Sequence, residues 1–333
     1  AEVCRNYDVD GIELDYFRHM CYFPSVANGG KASDEERAMV TDLMGRVRRM
    51  TEEVGMARGR PLLVAIRVAD SVGFNRDMGL GVERWLADGL ADILITTCYF
   101  QLNPWEETVA LGRRHGVAVY PSLAESRLTG ATRFRRQSPE SYRGRAANVW
   151  AAGADGIHLF NFFNPKAGLW QEIGSPVSLR GLPKLFFATV RDGRPDSWLP
   201  GGRSHQTVPM VTPGNPILLE PGKEATVTMP IGEDVADAQA AGLAPVFKAH
   251  LRLSGLGDPS RLTVAVNDTA LQPIGQTDDW LDCAVPTAAL RRGMNRFGFR
   301  LAPLPPPSGQ AETWGFRYDG GSIPAAPWAC DSR

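Results

Sequence analysis

Strand-like and helix-like segments alternate without a break over the first 190 residues, and this constrains the fold more than any other feature. Apolar runs rich in β-branched residues stand at 61–68, 92–99, 117–123 and 155–161, and an alternating run at 8–16 precedes them. Between them apolar residues recur at helical spacing. The clearest case is Met39, Val40, Leu43, Met44, Val47 and Met50, introduced by the capping pair Ser33 and Glu36 and followed by Gly59. The spacing predicts helices over 33–59, 81–89, 105–115, 139–152 and 179–190. Strand–helix–strand repeats of this kind make neighbouring strands parallel, with right-handed crossovers.

The first strand is chemically unusual. In Asp8-Val9-Asp10-Gly11-Ile12-Glu13-Leu14-Asp15-Tyr16-Phe17-Arg18-His19, Ile12 and Leu14 fall on one face, and Glu13 and Asp15 on the other. The two acids are about 6–7 Å apart along an extended chain. Two carboxylates on the inner face of a core strand are costly to desolvate unless partners satisfy them or a site uses them. Arg67, which interrupts the apolar run 61–68, is one expected partner, and Arg18 is another. The plain alternative is a strand with one wet face or a structural ion-pair network.

Composition narrows the function classes. A formal net charge of −1 over 333 residues gives no support for nucleic-acid binding. No apolar run reaches the ~20 residues of a membrane-spanning helix. The five cysteines include no close pair, and no His-rich cluster is present, so no metal or cofactor is expected. A Cys4–Cys21 disulfide stays open. The chain begins at Ala1, a few residues before a strand, and reads as a fragment of a longer protein.

Around 196–212 the composition turns to Pro, Gly and Ser, and helical periodicity nearly vanishes. Short β-rich runs follow at 225–229, 246–253, 262–267, 281–285, 296–301 and 313–318. The expected organisation is an α/β domain over 1–195, a linker over 196–212 and an all-β accessory sandwich over 213–333.

The run Tyr7-Asp8-Val9-Asp10-Gly11-Ile12-Glu13-Leu14-Asp15-Tyr16-Phe17-Arg18 resembles the central strand of bacterial glycosyl-hydrolase-like (β/α)8 barrels, and more distantly that of chitinase-type barrels. Ala91-Asp92-Ile93-Leu94 and Ala154-Asp155-Gly156-Ile157 are similar to strand openings in such barrels. The Glu that ends the chitinase pattern is missing after Asp15. Val264-Ala265-Val266-Asn267 and the turn at 290–296 resemble a galactose-binding-type jelly roll. The strand spacing, the count of five units against a barrel's eight and the abrupt start lead us to expect strands 4–8 of a TIM-type barrel whose first three units lie upstream. The resemblance implies a carbohydrate substrate and an extracellular or periplasmic location. The runner-up fold is a complete, open, doubly wound sheet.

A barrel carries its site at the C-terminal ends of its strands. The residues expected there are Asp15, Arg67, Asp70, Tyr99, Gln101, Glu125, His158 and Asn161. Glycoside hydrolysis needs two carboxyl groups flanking the bond, and Asp15 with Glu125 is the pair expected. Glu13, Arg18, His19, Arg67, Tyr99, His158 and Asn161 are expected to bind the sugar. Tyr99, Phe100, Trp105 and Phe162 are candidate stacking platforms. The expected activity is O-glycosyl hydrolysis; the alternative is a carbohydrate-binding protein without catalysis. The sequence leaves the oligomeric state open.

Overall fold

The computed structural model describes residues 1–97, 99–125, 128, 133–191, 193–256 and 258–303. Five parallel strands open the chain: β1 (Gly11–Asp15), β2 (Leu63–Val68), β3 (Ile93–Thr96), β4 (Ala118–Leu123) and β5 (His158–Leu159). They hydrogen-bond in chain order, β1-β2-β3-β4-β5, into one curved half-barrel sheet. The register sets Asp15 opposite Arg67 and Ser122 opposite His158.

The helices are α1 (Glu2–Asn6), α2 (Pro24–Ala27), α3 (Asp34–Arg58), α4 (Val72–Met78), α5 (Val82–Ala87), α6 (Trp105–His115), α7 (Pro139–Ala151), α8 (Leu169–Glu172) and α9 (Pro176–Leu179). Val64, Ile66 and Val68 point alternately to the helix side, where they are fully buried with Leu94, Val119, Trp85 and Val149. That alternation sends Arg67 to the opposite, concave face. Helix α3 begins at the expected capping box of Ser33 and Glu36 and stops at Gly59, whose φ of 70° is left-handed.

The expected fold is corrected here. The sheet comprises the first five strands of the chain, in order, and not strands 4–8 of an eight-stranded barrel. Alternation in the sequence gives the parallel direction of the strands; the index came from setting five units against the eight of a barrel, whereas the observed sheet consists of five strands, β1 to β5, at the start of the chain. The helix expected at 179–190 is also corrected: α8 and α9 end by Leu179, and the chain then runs irregularly past Gly181 and Pro183. Between β2 and β3 there are two helices, where the sequence suggested one. Cys4 and Cys21 are free thiols, Cys4 buried and Cys21 exposed.

The remaining strands are β6 (Glu224–Ile231), β7 (Phe247–Arg252), β8 (Leu262–Val266), β9 (Thr269–Ala270), β10 (Gln272–Thr277), β11 (Trp280–Val285) and β12 (Gly293–Leu301), with helix α10 (Val235–Ala240) after β6. They make two antiparallel sheets, β10-β11-β7 and β6-β12-β8-β9. Val264, Val266, Leu281, Cys283 and Phe297 form their shared core. The run at 313–318 lies outside the described residues.

Contacts join this β region to the parallel sheet within one unit, Ala1–Ala302. Phe186 packs against both cores. Lys184 Nζ meets Glu233 Oε2 at 2.6 Å, with both side chains largely buried. The Gly232 N–H donates to Asn148 Oδ1 on α7 at 2.6 Å. Arg133 grips Asp282 on β11 with two hydrogen bonds of 2.9 and 2.7 Å, and His250 Nδ1 stands 2.8 Å from the same carboxylate.

Candidate functional site

Strand alternation turns Glu13, Asp15 and Arg67 to the concave face, where Arg67 is completely buried. A buried guanidinium needs compensating anions. Arg67 Nη2 donates to Asp15 Oδ2, and Arg67 Nε lies 3.7 Å from Glu13 Oε1. The Phe17 N–H donates to Asp15 Oδ1 at 2.9 Å, so both Asp15 oxygens are held. From β5, His158 Nε2 stands 3.6 Å from Glu13 Oε2. Ser122 Oγ lies 2.9 Å from His158 Nδ1 and fixes the ring from behind. The Phe160 ring faces Arg67 at 4.0 Å, a cation–π contact strengthened by burial.

An aromatic rim adjoins this charged group. Tyr99 packs edge-on to Phe160 at 5.7 Å and stacks on Trp198 at 6.2 Å with an interplanar angle of 25°. Arg18 donates to the Tyr99 hydroxyl. Arg191 stands 5.9 Å from the Tyr99 ring centre, and its Nη1 donates to the Glu125 carbonyl at 2.5 Å. Glu125 is exposed just past β4. Its charge adds to the burial that pushes the Tyr142 hydroxyl up.

Two features support the rim from below. Thr97, buried at the end of β3, has φ 61°, a strained conformation for a β-branched residue, and its Oγ1 donates to the Phe100 carbonyl. Asp70, beyond β2, accepts from the Leu102 N–H at 2.9 Å and the Asn103 N–H at 3.0 Å. Burial pushes its carboxyl up to about 7, with the two N–H donors pulling the other way. Asp70 thus clamps the segment after β3 rather than facing the mouth.

The structure gathers Glu13, Asp15, Arg67 and His158 into one contact group and joins Arg18 and Tyr99 to it through Phe160. Glu125 connects to that rim through Arg191. His19 is exposed on the loop after β1. Asn161 is exposed at the turn after β5, where its φ of 53° serves the turn. Phe162 packs on Tyr142 and Trp170, away from the Tyr99 rings. Sequence reasoning missed Ser122, Trp198 and Arg191. Ser122 could have been found from the parity it shares with Tyr120 on β4. Arg191 and Trp198 lie in irregular chain, which carries no periodic signal.

Among the described residues no three His, Cys, Asp or Glu side chains gather as a metal-binding set. No helix among them is long and apolar enough to cross a membrane. The sequence matches no protein-family model and no curated protein.

Proposed function

We propose that this chain hydrolyses glycosidic bonds, with Asp15 and Glu125 as the two carboxyl groups. The observation that carries the reading is the pair of carboxylates on β1, drawn around a fully buried arginine at the C-terminal ends of parallel strands beside the rings of Tyr99, Phe160 and Trp198. Ligands of open α/β sheets bind outside those strand ends. Aromatic faces beside acids suit a sugar, whose C–H face stacks while its hydroxyls hydrogen-bond. The roles divide by environment. Asp15, held at both oxygens, keeps one orientation and suits the nucleophile or base. Glu125, exposed past β4, is assigned the acid role as the partner carboxyl group. Glu13, His158 and Arg18 orient hydroxyls.

Reducing-sugar release from a panel of glycans tests the reading. General acid–base assistance is worth roughly 10²–10⁴-fold, so Asp15→Asn and Glu125→Gln should each lower turnover by that order without unfolding the chain. Near-normal turnover in both variants would move the site elsewhere. One observation favours a second reading, a carbohydrate-binding protein without catalysis: both Asp15 oxygens are already engaged. Glycan binding with no released sugar would select it.

A further inference from the structure

Glu13 and His158 meet across the hollow of the parallel sheet, one from β1 and the other from β5, its two edge strands. Each is held from behind. Glu13 Oε1 lies 3.7 Å from Arg67 Nε, and His158 Nδ1 lies 2.9 Å from Ser122 Oγ. Glu13 Oε2 and His158 Nε2 are left turned towards one another. At 3.6 Å they are too far apart for a hydrogen bond. Among the described residues Glu13 has these two ion pairs and no hydrogen bond. Asp15, two residues on, is bonded at both oxygens. The Glu13 side chain is 37% exposed and that of His158 22%, so both are open to a ligand, whereas Arg67 beneath them is sealed. A carboxylate beside Nε2 favours the tautomer with its proton there, and Ser122 then donates to Nδ1.

An acceptor and a donor therefore stand side by side, separated by a gap that neither closes. Two oxygens on adjacent sugar carbons are spaced to bridge such a gap, one on each group. We propose that the bound sugar residue presents a vicinal diol to this pair: one hydroxyl donates to Glu13 Oε2, and its neighbour accepts from His158 Nε2. This rests on a sugar occupying the site, as the glycosidic reading requires, and adds the substrate class. A chain of pyranoses linked through O4 keeps its O2 and O3 hydroxyls free side by side. A chain linked through O3 has no adjacent free pair within it. The pair thus selects O4-linked over O3-linked glycans, and Ser122 is a positioning residue that acts through the His158 ring.

Calorimetric binding and reducing-sugar release test this on O4-linked glucan, galactan and mannan against O3-linked glucan and galactan, with polymers long enough that chain ends are rare. A hydrogen bond to a charged group is worth about tenfold or more in affinity, so the best O4-linked polymer should bind at least about tenfold tighter than either O3-linked one. In Glu13→Ala, with folding followed by melting curves, that ratio should fall towards one. Should this variant fail to fold, His158→Leu carries the same expectation. Equal affinity for the two linkages, or a folded variant with the preference intact, overturns the diol and leaves the glycosidic reading to stand on sugar release. An O4 preference in binding with no sugar released keeps the diol and selects the reading without catalysis. Binding and cleavage of none of the five polymers overturns both.

Discussion

Arg67 shows how much one residue's setting can be read in advance. A lone arginine in an apolar strand beside an acidic strand implied a pairing, and alternation fixed the face on which the pairing occurs. Arg145 was illegible because an arginine on a helix is ordinarily solvated, and only the fold reveals that its guanidinium donates to the Ala124 carbonyl just past β4. Asp70 lies between these cases: its place past a strand end suggested a site, but its bonds go to backbone. Its folded value of about 7 lies above the ordinary carboxyl value near 4. The folded state therefore binds more protons between those limits, and this contribution to stability is full below about 4 and declines as pH rises towards 7. The stability of the parent minus that of Asp70→Asn, followed by urea unfolding, should decline across that window and be flat on either side. A difference that rises with pH would mean that the two N–H donors outweigh burial.

At the scale of elements, long periodic segments were readable and irregular ones were not. The apolar stripe, capping box and closing glycine of α3 are local signals, whereas 180–191 follows the surface that α7 and the β region offer it. The fully exposed β10 had no apolar alternation to reveal it. Close approach of elements is likewise invisible in sequence. A Cβ on Gly232 would sit 2.2 Å from the Ala147 carbonyl oxygen of α7, a backbone atom that cannot swing aside. Gly232→Ala should lower stability by about 1–3 kcal/mol, the usual cost of overpacking. Chemical denaturation measures it; an unchanged midpoint would show that α7 and β6 separate easily.

At the scale of the whole molecule, the direction of the parallel strands and their count of five were legible, but the extent of the sheet around a barrel was not, because that depends on which edges pair. The seam between the two regions was equally hidden: Lys184 and Glu233 lie in unremarkable stretches of sequence. Their ion pair is nearly dry, so removing one partner strands a buried charge. Lys184→Met should cost roughly 3–5 kcal/mol. Calorimetry should show one transition in the parent and in Lys184→Met,Glu233→Leu, with much of the loss recovered in the double variant. No recovery would mean that Lys184 acts through its bonds to the Leu179 and Leu182 carbonyls instead.

Phe186, packed against both cores, constrains how the two regions of the chain can be recombined. A graft of a foreign β region onto the parallel sheet would have to bring its own match for that ring, a carboxylate for Lys184 and a small residue beneath Ala147. The two parts form a matched set, and substitutions on one side of the seam narrow what the other side can accept.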